Sequence, residues 1–131
     1  YDTDMAEMSV NEDVLLLSFS PLAAGILTGK YLDGAVPAGS RRSLTPDMGG
    51  RVSPREEPAA RAYVELAARH GLDPDHMAMA WQGTRPFPIC PIFGATTAAQ
   101  FEHILAGAEV MLSDEVLKDI AATHKAHPMP Y

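Results

Sequence analysis

"SFSPLAAGILTGKY", Ser18 to Tyr31, decides how this chain is read. It grows out of the continuous apolar run "VLLLSFS" (Val14 to Ser20), the pattern of a strand covered on both faces. The run stops at Ser20-Pro21, and small residues with two glycines follow before a lone cation, Lys30, and Tyr31. Glycine and alanine at the carboxyl end of a parallel strand let backbone N–H groups approach a ligand closely. An anion is the usual guest of such backbone. Lys30 adds a positive charge where the stretch ends.

A second strand ends in the same way. "FPICPIFGA" (Phe87 to Ala95) reads as a strand that stops at Gly94, and Gly94-Ala95-Thr96-Thr97 feeds a helix. Free amides and the helix dipole favour phosphate at such a start. An ordinary tight connection with a capped helix is the plainer reading of either strand end alone. Two together favour an anion site.

Between and around these strands the chain punctuates helices. Residues 4–12 have weak helical character. "AARAYVELAARHG" places Tyr63, Leu66, Ala67 and His70 on one face, with Gly71 as a stop. Asp73-Pro74 opens "DHMAMAWQGTR" as a cap followed by proline at the first helical position. Phe101, Ile104, Leu105 and Ala108 recur at helical spacing behind a Thr97/Gln100 capping box. Ser113 caps a last helix through Val116, Leu117 and Ile120, and "HKAHPMPY" is an irregular tail. The stretch 32–57 is rich in Gly, Pro and Ser and has no periodicity, so a long mobile loop is expected there.

Strands alternating with helices predict an α/β fold with a parallel sheet. Two strands do not complete such a sheet, because each leaves unpaired edges inside an apolar layer. The expectation is a single segment, 1–131, whose remaining strands come from an N-terminal portion or from self-association. The 131 residues are 47% apolar, with 10 basic against 17 acidic side chains and a formal charge of -7. That balance argues against a nucleic-acid surface. No apolar run approaches the ~20 residues that span a bilayer, so no membrane partner is expected, and no basic and hydrophobic leader pattern is present. Cys90 is the one cysteine, which makes a reducing cytoplasm the natural compartment.

"SFSPLAAGILTGKY" followed by "PIFGATTAAQ" resembles the aldo-keto reductase family, in particular the bacterial branch that is also similar to potassium-channel β subunits. The resemblance implies the C-terminal part of a (β/α)8 TIM barrel, strands seven and eight with their helices. It also implies an oxidoreductase that reduces aldehydes or ketones with NADPH. Phosphate sites in such barrels are built by the loops after strands seven and eight. Carried over by residue, Phe19, Ser20, Pro21, Leu22, Ala23 and Gly25 match the segment that lines the pyrophosphate and ribose. Lys30 matches a lysine near the phosphates, and Arg41 matches an arginine that folds over the cofactor, with Arg42 an alternative register. Gly94, Thr96 and Gln100 match the positions that hold the adenosine end and its 2′-phosphate. The channel-subunit likeness leaves a second reading open, a nucleotide-sensing regulatory module with little turnover.

The chain also departs from the family. After the glutamine, relatives carry Glu or Thr and then Asn, where this chain has His103 and Ile104. Ile104 belongs to the apolar stripe. His103 is placed either over the adenine or as an exposed helix histidine. The family's catalytic Asp, Tyr, Lys and His find no match, so no catalytic residue is assigned and the segment alone is expected to be inactive. His124 and His127 lack a third ligand and read as exposed, and no metal is assigned. Cys90, Met5, Met8, Met77, Met79 and Trp81 read as packing residues, and "PREEP" as a solvated helix start.

Overall fold

A computed structural model describes residues 1–2 and 4–131 of the chain. Two strands, β1 (Leu16–Phe19) and β2 (Ile89–Ile92), pair in parallel with Leu16 opposite Ile89 and Phe19 opposite Ile92. The helices are α1 (Ala6–Asn11), α2 (Arg41–Leu44), α3 (Glu56–Arg69), α4 (Pro74–Gly83), α5 (Ala98–Ala106) and α6 (Asp114–Ala126). Among the described residues none is long and apolar enough to cross a membrane.

Local chemistry sets the boundaries. Glu56 and Glu57 occupy the first turn of α3, where negative charge complements the dipole. Gly71, at φ 64°, ends it in the left-handed conformation, and the Leu72 amide donates back to the Ala67 carbonyl at 2.9 Å. Asp73 Oδ1 accepts from the amides of Asp75 (2.8 Å) and His76 (3.2 Å) to open α4. Thr97 and Ser113 cap α5 and α6 in the same manner.

One face of the sheet is covered. Leu16, Ser18 and Ile89 face a 470 Å³ apolar cavity bounded by Tyr63, Met77 and Trp81. Leu17, Phe19 and Ile92 point the other way and are 55%, 74% and 48% exposed. The strands were expected to be covered on both faces, but helices of this chain lie on only one. The same alternation corrects the reading of Cys90, which is exposed because it shares the uncovered face with Leu17.

Leu66, Ala67 and Met77 pack with Val116 and Ile120, joining α3, α4 and α6. His70 Nε2, 2.9 Å from Asp119 Oδ2, clasps the rim of this layer. That contact holds the Asp119 carboxyl below the usual carboxylate range. Leu22, Met79 and Ile104 form a smaller cluster beneath the ends of the strands. Met5 and Met8, expected in the core, are 46% and 36% exposed. Ser9 is buried in their place, accepting from the Tyr1 hydroxyl and donating to the Val14 carbonyl. Phe101 and Leu105 are each 49% exposed because α5 leans on α4 along the single edge that carries Ile104.

The segment 32–57 is structured in places. It holds a 3₁₀ turn at Leu32–Gly34 and helix α2, and it returns Met48 to a core with Tyr31, Ile26 and Ala60. Met48 is 2% exposed. Anchors as widely spaced as Leu32, Met48 and Glu56 leave no periodic signal.

Gly107 governs how α5 meets α4. A Cβ there would lie 2.8 Å from the His76 Cα and 3.0 Å from the Met79 Cβ. Backbone atoms cannot swing aside as a side-chain tip can. Gly107→Ala is predicted to destabilise the full chain by about 1–3 kcal/mol, read as a lower urea midpoint. An unchanged midpoint would mean that the two segments separate freely.

Candidate functional site

The parallel register puts the carboxyl ends of β1 and β2 side by side, so the chains leaving them share one cleft. The Ser20 amide continues the ladder, donating to the Ile92 carbonyl at 3.2 Å. Beyond it the backbone turns sharply. Ser20, Ala23 and Ala24 have φ of 56°, 49° and 58°, and Gly25 has 92°. Left-handed non-glycine residues each cost of order 1 kcal/mol and cluster at ligand sites. The small side chains of this stretch keep that cost low while leaving backbone bare. Lys30 packs over Gly25, its Nζ 2.8 Å from where a Cβ would stand, although that flexible side-chain tip could swing aside.

The cleft encloses 620 Å³. From the first strand end it takes Ser20, Pro21, Leu22, Gly25 and Lys30; from the second, Gly94, Thr96, Gln100 and His103. Arg41 enters from α2. The structure thus brings together ten of the twelve residues singled out in the sequence. Phe19 and Ala23 lie elsewhere. Strand alternation turns Phe19 onto the uncovered sheet face, and Ala23 is 7% exposed in the core beneath the turn with Ile26 and Met48.

The two arginines separate cleanly. Arg42 Nη1 lies 3.5 Å from Glu56 Oε1, its guanidinium is 5.7 Å from the centre of the Tyr31 ring, and its amide donates to the Tyr31 hydroxyl at 3.4 Å. Arg41 is exposed and lines the cleft. Glu56 is only 4% exposed, which corrects the reading of "PREEP" as fully solvated. It is buried because Arg42 comes to meet it.

At the second strand end, Thr97 Oγ1 accepts from the Gln100 amide at 3.1 Å. The glutamine side chain reaches one residue further back than a capping box requires. Gln100 Oε1 accepts from the Thr96 amide (3.0 Å) and hydroxyl (2.7 Å), so Gln100 shapes the loop that it caps. Gly94 has open space where a Cβ would stand. The first-turn amides of α5 lack intrahelical acceptors by construction. Two cations, small residues and a helix start facing one cavity can hold an anionic group.

Asp75 was missed by the sequence reading. It lines the cleft from the first turn of α4, and burial, reinforced by Asp73, holds its carboxyl above the usual range. The signal was present in "DPDH", where one aspartate caps a helix and the next must lie in its first turn. His103 is neither free nor simply a cover for the cleft. Its Nε2 lies 3.4 Å from Asp73 Oδ1 and 3.6 Å from Asp75 Oδ2.

The division of labour between the arginines is testable by urea unfolding. Arg42→Ala strands the buried Glu56 carboxylate and should cost about 1–3 kcal/mol. Arg41→Ala should change stability by no more than about 0.5 kcal/mol. The reverse pattern would exchange the two assignments.

Comparison with known proteins places this geometry. The model of the Aldo/keto reductase family matches residues 2–125. Over 130 residues the chain is 40% identical to Protein tas of Escherichia coli (strain K12), covering 99% of this chain and 38% of that protein. It is 31% identical over 140 residues to a probable voltage-gated potassium channel subunit beta of Arabidopsis thaliana, covering 97% and 40%. The fold is similar to that of the glycerol dehydrogenase AKR11B4 from Gluconobacter oxydans, with a TM-score of 0.72 at 22% identity. That match covers 99% of this chain and 39% of the other. The chain thus spans about two-fifths of the length of these relatives, and it belongs to the aldo/keto reductase family.

Proposed function

We propose that this chain is the cofactor-binding C-terminal part of a (β/α)8 barrel oxidoreductase that reduces aldehydes or ketones with NADPH. The observation that carries the reading is the shared cleft, where both strand ends converge with Lys30 and Arg41. The uncovered sheet face supports the barrel part of it. Leu17, Phe19 and Ile92 form an apolar surface suited to a barrel interior, and complete barrels take ~250 residues. A cytoplasmic enzyme acting on a small carbonyl compound is the corresponding whole protein.

The residues present fit a dinucleotide. In the turn Ser20–Gly25 the Ser20, Ala23 and Gly25 amides bond to the chain itself and Pro21 has none, so the Leu22 and Ala24 amides are what it offers a pyrophosphate, with Lys30 at its edge. Gly94 leaves room for close approach, and the Thr96-Gln100 pair fixes the loop beside it. Arg41, with no carboxylate partner among the described residues, is a cation placed to meet an added phosphate. Bound nicotinamide would supply the hydride. This chain's part is to hold and orient the cofactor, since none of its residues matches the family's proton-donating set.

Arg41→Ala is expected to weaken NADPH binding to the full chain by about tenfold or more, the counterpart of ~1.5–3 kcal/mol for a charge-assisted contact. NADH should change little. Equal loss for both cofactors would remove Arg41 from the 2′-phosphate, and no nucleotide binding by the wild type would overturn the proposal. The alternative, a nucleotide-sensing module, draws on the potassium-channel relative. Tight NADPH binding without carbonyl-dependent oxidation of the cofactor by the whole barrel protein, to which this chain would contribute the cofactor site, would favour it.

A further inference from the structure

At the junction of α4 and α5, on the rim of the cleft that His103 also lines, lies a cluster of ligand atoms. We propose that Asp73, His76 and His103 form a site for a divalent transition-metal ion of the zinc type. Each offers one ligand atom, and these atoms all lie within 4.8 Å of one another. Two donors bound at about 2.0–2.1 Å to a tetrahedral centre stand roughly 3.4 Å apart. His103 Nε2 stands 3.4 Å from Asp73 Oδ1, the oxygen that caps α4, so the carboxylate as a whole is within ligand spacing of the imidazole.

The orientation of His76 is an independent observation. Its Nε2 lies 2.8 Å from the carbonyl oxygen of His103. Donation to that carbonyl fixes the ring and leaves the other nitrogen with a free lone pair. Metal-bound imidazoles are usually held in this way, by a backbone carbonyl or carboxylate on the far nitrogen. The two imidazole rings sit 4.6 Å apart at 34°, close enough to serve one ion.

Asp75 Oδ2, 3.6 Å from His103 Nε2, is a fourth donor within reach. Asp73 caps α4 through Oδ1 and keeps a second oxygen. Two imidazoles with carboxylates select zinc, cobalt, nickel or copper over calcium and magnesium, which prefer oxygen throughout. Asp73 and His103 side chains are 38% and 46% exposed, so an ion enters directly from solvent. The donors stand on two helices whose approach Gly107 fixes, so the site is held before the ion arrives.

The test uses the tag-free full chain, stripped with a chelator and without nucleotide, so its outcome is separate from that of the cofactor proposal. Cobalt(II) absorption and equilibrium dialysis with zinc are expected to show one equivalent bound. His76→Ala and His103→Ala should each lower zinc affinity by at least about tenfold. His124→Ala should leave it unchanged, and circular dichroism of each variant should match the wild type. Should His76→Ala perturb the fold, His103→Asn on the exposed side chain decides alone. No binding by the wild type would overturn the proposal and leave the group a histidine–carboxylate ion-pair cluster. Unaltered affinity in the His103 variants, or loss on His124→Ala, would overturn it equally.

Discussion

Parallel pairing of two four-residue strands is the constraint on which the rest depends. With Leu16 opposite Ile89 and Phe19 opposite Ile92, both strands end at the same level. The chain leaving each is therefore delivered to the same place. Had one strand slipped by one residue, every side chain of that strand would have changed faces. Either Leu16 or Ile89 would then have left the helix layer, and the strand ends would have stood about 3.3 Å out of step. Site geometry and burial of the covered face are thus consequences of one ladder.

Helix α4 translates that ladder into a site. Its body packs through Met77 onto α3 and α6, and through Met79 onto Leu22 and Ile104 beneath the cleft. Its first turn delivers Asp75 to the cleft and His76 to the α5 junction. A carboxyl beside two cations would oppose an anionic ligand if fully ionised. Partial burial, with Asp73 nearby, makes ionisation of Asp75 less favourable than in water. Lys30 and the neighbouring imidazoles act in the opposite direction. The charge presented to a ligand is set by this balance rather than by a count of residues.

Much of this was legible in the chain itself. Glycine, proline and the capping residues Asp73, Thr97 and Ser113 marked helix boundaries because their effects are local. Strand ends rich in small residues pointed to the cleft because two occur together, where either alone reads as an ordinary tight connection. What escaped depends on neighbours far along the chain. The burial of Glu56 needs Arg42 to swing across, and the separate duties of Arg41 and Arg42 follow from that pairing. Cys90 was misplaced because a continuous apolar run does not say which face this chain covers, and Phe19, carried over from the family segment, stands on the face left uncovered. Gly107 has an ordinary φ of -62°, and only the approach of α4 reveals why it must be small.

The central claim is that both strand ends grip one ligand together. Hydrogen–deuterium exchange of the full chain, with and without saturating NADPH, tests it most directly. The account predicts simultaneous slowing of the amides in 20–30 and 94–100. Protection of one segment without the other, or of neither while the nucleotide is bound, would contradict it.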